Sequence, residues 1–297
     1  MIRSKCVWGG MCLALSLLMP QSAAAQDPAT PPAPTTPAAQ PAPETSDPDR
    51  RLDPLQPDFT LAALPTTLRL PKHKMSFRIT HRFTRSLGRG DFGDLVSDFF
   101  GIDSAAQIGL ELRYGLLRGT QIGVHRTNAD KTIQIFGQQS LMQQKPDGHP
   151  LGMDVIATLE GLDNLQGQKM SAIGLLVSRK AGKIAALYVE PMFVANTNLG
   201  TVNPAATDDD NTTMIGLGAR VRIRPATYLV GEWTPRVSGY RPGVDQGSFG
   251  IEGRVGGHTF QVNFSNGFGT TLGQLASRGG VTADSWYLGF NISRKFF

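Results

Sequence analysis

Beyond residue 73 the chain alternates apolar and polar residues at period two. Met75, Phe77, Ile79 and Phe83 alternate with Ser76, Arg78, Thr80 and Arg82, while Ile215, Leu217, Ala219, Val221 and Ile223 alternate with Gly216, Gly218, Arg220, Arg222 and Arg224. A helix would repeat its apolar positions at three and four residues, so this spacing predicts strands. About twelve such segments are predicted, near 73–84, 105–115, 119–127, 131–143, 151–161, 169–180, 184–195, 213–224, 227–236, 247–256, 258–266 and 285–297. One face of each is apolar, and the other carries Arg, Glu, Gln, Ser, Thr and Gly.

The gaps between these segments alternate in length. Those at 116–118, 144–150, 181–183, 225–226 and 257 are mostly tight, whereas 85–104, 196–212, 237–246 and 267–284 are long, with 128–130 as a short exception. An even number of antiparallel strands with short turns at one end and long loops at the other is the layout of a bacterial outer-membrane barrel with both chain ends in the periplasm. The predicted fold class is therefore all-β: an antiparallel transmembrane β-barrel of about 12 strands, after a disordered Pro-rich N-terminal segment. No run of 18 apolar residues follows Pro20, so no membrane-spanning helix is expected. The competing architecture is a secreted β-sandwich or lipocalin-like barrel. Its outer face would be rich in Lys and Glu, but the polar face here suits a lumen better. In the last segment Trp286, Leu288, Phe290, Ile292 and Phe296 alternate outward and the sequence stops at Phe297, an arrangement that resembles the signal read by the barrel-assembly machinery.

The N-terminus divides differently. Arg3 and Lys5 precede an apolar run ending in Ser22-Ala23-Ala24-Ala25, the arrangement of a secretory signal peptide over 1–25. Both cysteines, Cys6 and Cys12, lie inside it. Residues 26–58 contain ten prolines and no glycine, too little apolar surface to offset ordering, and read as a disordered Pro/Ala-rich tether. Six acids against two arginines give the tether −4, so the net +5 of the whole chain resolves into +2 in the signal peptide, −4 in the tether and +7 in the barrel domain over 59–297.

The polar face places Arg78, Arg82, Arg113, Glu111, Arg220, Arg222, Arg224, Glu252 and Arg254 in the lumen as pore-lining candidates. Such a ring of guanidinium groups favours anions. The alternative is a salt-bridge ladder filling a narrow barrel, with Arg113 and Arg254 paired to Glu111 and Glu252. The first long loop holds a short amphipathic stretch over 91–103, read as a helix on the rim, with an inward constriction as the alternative. The cluster from Asp208 to Asn211 lacks the glycine and distal Glu of a calcium loop. Gly88, Gly90 and Gly93 have dinucleotide-motif spacing without a βαβ context. The five histidines show no paired metal spacing, and no serine sits in a nucleophile-elbow sequence. No cofactor, metal site or catalytic residue is assigned, and no nucleic-acid partner is expected.

The stretches His81-Arg82-Phe83, Phe99-Phe100-Gly101-Ile102-Asp103, Leu112-Arg113-Tyr114-Gly115 and Gly123-Val124-His125-Arg126-Thr127 resemble a bacterial family of β-barrel proteins of unknown function. The likeness is firmest over 64–145. Thr84 stands where the family usually has Gly, and Gln139-Ser140 where it has a Lys-Tyr pair. The resemblance implies a barrel, and makes His81, Phe99 and Phe100 candidates for a contact between the first loop and the wall. The expected function is a passive, anion-preferring pore for small solutes. The alternatives are a non-conducting barrel that anchors a periplasmic tether and an envelope lipid hydrolase. The expected partners are outer-membrane lipid, the barrel-assembly machinery and a periplasmic partner of the tether, with the barrel itself a monomer.

Overall fold

The computed structural model describes residues 53–145, 148–200 and 209–296. The signal peptide, most of the tether, Asp208 and Phe297 lie outside the described residues. The strands are β1 (Met75–Ser86), β2 (Ala106–Leu117), β3 (Thr120–Thr127), β4 (Ile133–Met142), β5 (Gly152–Gly161), β6 (Lys169–Ala181) and β7 (Ala185–Ala195). They continue with β8 (Thr212–Arg224), β9 (Thr227–Thr234), β10 (Arg236–Gly239), β11 (Gln246–Val255), β12 (His258–Ser265) and β13 (Tyr287–Phe296). Each pairs antiparallel with its neighbours, and β1 closes the cylinder against β13, from Met75 opposite Phe296 to Arg82 opposite Gly289. β9 and β10 form one stave, since both pair with β8 on either side of Pro235, whose missing N–H interrupts the ladder. The barrel therefore has twelve staves. Closure satisfies the backbone within lipid and leaves no free edge.

The pleat sorts the side chains as the alternation requires. Leu110, Leu112, Val124, Ile135, Leu159 and Ile173 are exposed on the outer face, and Arg78, Glu111, Gln138 and Asn291 are buried inside. Near the long-loop rim Phe249 packs against Phe264 and Trp286, each at 5.3 Å between centroids, an outward aromatic cluster at the level of the membrane interface. At the opposite rim the Arg294 guanidinium lies over the Phe296 ring at 5.2 Å. Helix α1 (Phe92–Ser97) occupies the first long loop, capped reciprocally by Asp91 and Asp94. No residue of α1 is buried, and an ion pair of Asp98 with Arg85 ties its end to β1. A second short helix, α2 (Leu272–Ser277), lies in the last long loop and is buried along its whole length.

Residues 53–72 lead into β1 from inside the barrel. Composition assigns 53–58 to the tether, yet Leu55, Gln56 and Asp58 are buried within the lumen. The structure therefore corrects the tether boundary at 58: lumen wall groups satisfy this stretch, which its composition does not reveal. From Asp53, beside Lys180 at the short-turn end, the segment rises to a tight reversal at Leu61–Leu64. It then descends to His73, whose N–H donates to the Gly115 carbonyl at 2.7 Å.

Candidate functional site: the barrel lumen

The reversal is a hairpin. The Leu61 N–H donates to the Leu64 carbonyl and the Thr66 N–H to the Phe59 carbonyl, both at 2.8 Å. Its tip would leave main-chain donors unpaired inside the barrel, a costly arrangement unless an acceptor meets them. Glu232 on β9 is that acceptor. Its carboxylate takes the N–H groups of Ala62, Ala63 and Leu64, each at 3.0 Å.

The polar wall grips the limbs by their carbonyls. Arg82 donates to the Ala62 carbonyl at 3.2 Å, Arg220 to that of Thr60 at 2.7 Å, and Gln138 to that of Thr66 at 2.8 Å. Gln261 donates to the Leu61 carbonyl and Gln121 to the Leu68 carbonyl, both at 3.2 Å, and Asn291 to the Ala62 carbonyl at 2.9 Å. Arg78 bonds the Thr60 hydroxyl at 2.5 Å and Glu111 at 3.1 Å, while Glu111 also accepts from Arg113. The Arg113 guanidinium lies between the Phe59 and Phe136 rings, 5.0 and 4.6 Å from their centroids.

The opposite wall is apolar on the inside as well as the outside. Met170, Ala172 and Leu176 of β6, Ala186, Tyr188, Met192 and Val194 of β7, and Met214 of β8 form one cluster with Leu55, Leu61, Ala63 and Leu64. Two glycines make room for it. A methyl at Gly216 would lie 2.9 Å from Leu64, and one at Gly218 would collide with Leu61. Glu190, on the same wall and wholly buried, meets no hydrogen-bond donor among the described residues at either carboxylate oxygen.

From the long-loop end α2 descends into the same cluster through Leu272, Leu275 and Ala276. Thr271 caps its start by accepting from the Gln274 N–H at 3.3 Å, and the Gly273 N–H donates to Glu160 of β5 at 3.2 Å. Gln274 reaches the Thr127 hydroxyl at 2.9 Å. A void of about 20 Å³ between hairpin, α2 and the β2–β5 wall has room for about one water molecule. In this state the lumen is filled from both ends.

Of the pore-lining candidates, Arg78, Arg82, Arg113, Glu111, Arg220 and Glu252 are buried in the lumen. Arg222, Arg224 and Arg254 lie at the short-turn rim: Arg222 donates to the Pro225 carbonyl in the turn, and Arg224 is exposed. Glu252 pairs with Arg220 at 3.0 Å rather than with Arg254. Arg254 is half-buried at the rim, whereas Arg220 is wholly buried and must find an anion. His81 faces outward, stacked on Phe290 at 4.8 Å and beside Phe83 at 4.4 Å, whereas Phe99 and Phe100 are exposed in the loop. The contact between that loop and the wall is made instead by Arg85, with Asp98 and beneath Gly101. Trp286, Phe290, Ile292 and Phe296 lie in or beside β13 on its outer face.

Sequence reasoning places no functional residue at Glu232, in the segment 53–72 or in α2. A signal for them exists in β6 and β7, most of whose lumen-facing positions, Ser178 and Glu190 apart, are apolar like their lipid-facing ones. A strand apolar on both faces is buried on both.

No curated protein matches the chain. Among solved structures, similarity extends to the NanC porin (10% identity, TM-score 0.48, covering 75% of this chain and 100% of that one). It also extends to an outer membrane channel from Pseudomonas putida F1 (10% identity, TM-score 0.49, 77% and 97%). The outer membrane protein Omp33 of Acinetobacter baumannii is similar at 9% identity and a TM-score of 0.42, over 77% of this chain and 100% of that one. The family model described as "Membrane bound beta barrel domain (DUF5777)" matches residues 58–296, and with most of its length matched the chain belongs to that family.

Proposed function

We propose that this outer-membrane barrel is a small-solute channel held closed by its own lumen segment, with hairpin 59–66 as the gate. The observation that carries this reading is the way the polar wall is satisfied. Arg82, Arg220, Gln121, Gln138, Gln261 and Asn291 bond main-chain carbonyls of the inserted segment. When the hairpin withdraws, water takes the place of those carbonyls, and the wall becomes a hydrophilic lining with Arg78, Arg82 and Arg220 exposed to the path. Fixed positive charge in such a lining favours anions. The chemistry asked of the protein is passage rather than reaction. Assembly through the aromatic last strand, and a periplasmic partner for the tether, belong to the same reading.

Planar-bilayer recording of the refolded full chain tests it. The expected trace is a closed baseline with brief, anion-preferring openings, and the preference falls in Arg82→Gln and Arg220→Gln. The apolar cluster shared by β6, β7, the hairpin and α2 favours a second reading, a permanently filled barrel that anchors the tether. Complete absence of openings, in the native chain and in variants that loosen the hairpin, would overturn the channel and leave that second reading.

A further inference from the structure

A cavity of about 200 Å³ lies at the short-turn end, between the two limbs of the lumen segment and the ends of β4, β5 and β6. Asp53 and Gln56 of the rising limb, Arg69 of the descending limb, Gln143 after β4, and Ser178 and Lys180 of β6 line it. Its frame is built by internal bonds. The Lys180 ammonium pairs with Asp53 at 2.9 Å, and Gln144 makes two bonds to the Lys180 main chain, at 2.6 and 3.0 Å. Gln56 donates to the Thr67 hydroxyl at 3.0 Å, which meets the Ser178 hydroxyl at 2.5 Å.

One lining group is left over. The Arg69 Nε is buried and has no hydrogen-bond partner among the described residues. Among the described residues no carboxylate forms an ion pair with the Arg69 guanidinium, since Asp53 is taken by Lys180, so an anion in the cavity would meet an unneutralised cation. Two cations and one carboxylate line the cavity, so it carries a net positive charge. We propose that it binds a small hydroxylated carboxylate. The carboxylate lies against the Arg69 guanidinium, which matches it in two parallel bonds, and the hydroxyl groups meet Asp53, Lys180 and the Gln143 amide. The volume admits a single sugar-sized solute, and Asp53 and Lys180, partly exposed, leave the cavity open to the periplasm. This site does not depend on whether the barrel conducts.

Calorimetric titration of the refolded full chain with D-gluconate tests it, with D-glucose and L-glutamine as the neutral and zwitterionic comparisons. Saturable binding is expected for gluconate alone. Arg69→Gln should weaken it about tenfold, the loss of one charge-assisted contact, while Lys183→Gln in the exposed β6–β7 turn should leave it unchanged. A second measurement needs no change at Arg69. In a Cys6→Ser, Cys12→Ser background, gluconate should slow maleimide labelling of Gln143→Cys and glucose should not. Absence of both saturable heat and protection, equal binding of glucose or glutamine, or full affinity in Arg69→Gln would overturn the assignment.

Discussion

Replacing Glu232 by Ala tests the gate most directly. The Glu232 carboxylate accepts three consecutive main-chain N–H groups at the hairpin tip, each at 3.0 Å. Deleting it strands three buried donors, and each unmatched donor costs about 1–3 kcal/mol. The seated hairpin should therefore lose roughly 3–9 kcal/mol relative to a withdrawn one, whose tip is hydrated. At about 1.4 kcal/mol per tenfold change, the lower bound already raises the withdrawn population about a hundredfold. Glu232→Gln retains one acceptor oxygen and should fall between Ala and the native residue. Open probability in planar bilayers and amide exchange at residues 59–66 are the two readouts, and both should rise in the order native, Gln, Ala. Unchanged exchange in Glu232→Ala would refute the latch. Faster exchange without conductance would keep the Glu232 contact but count against the channel and for the permanently filled barrel.

Four further outcomes follow from the packing and the charges. Leu61→Ala or Leu64→Ala removes a wholly buried side chain and should cost about 2–5 kcal/mol of hairpin seating, read as faster exchange over the same residues. Gly218→Val places a side chain where Leu61 sits, and should expel the hairpin without removing any polar bond, so its open probability should exceed that of the native chain. Glu111→Ala leaves Arg78 and Arg113 buried without their shared anion and should destabilise the barrel by about 3–5 kcal/mol, measured as a lower urea midpoint for loss of the folded band on unboiled gels. Arg222→Gln and Arg224→Gln sit at the rim and should alter ion preference far less than Arg82→Gln or Arg220→Gln.

The barrel was legible because its lipid contact repeats every second residue. Segments expected at 184–195 and 213–224 are strands at 185–195 and 212–224, and the expected faces hold, with Leu217 and Val221 outward and Arg220 inward. The lumen was only half legible. Alternation identifies which side chains point inward but carries no information on what they meet, so Glu252 could be matched to Arg254 on its own strand while its partner is Arg220 on β8. The inserted segment has no periodicity of its own. Its Leu-Ala-Ala-Leu tip is held by a residue 170 positions away, and no local rule connects the two. The first long loop reads as a rim helix and α1 stays outside, whereas α2, which no sequence pattern marks, enters the barrel. The difference lies in the receiving wall, where Met170, Met192 and Met214 offer apolar surface to Leu272 and Leu275.

Leu61 and Leu64 come from a segment that enters at the short-turn end of the barrel, Leu272 and Leu275 come from a loop at the opposite end, and all four share one buried apolar cluster inside the barrel. The two ends of the barrel are thereby thermodynamically linked through a few side chains. Work done on the outer loop is felt at the inner segment, and by reciprocity anything that draws the inner segment downward alters the affinity of the outer loop for whatever it meets. The barrel wall need not change shape for this communication, because the exchange takes place among residues that the wall merely encloses.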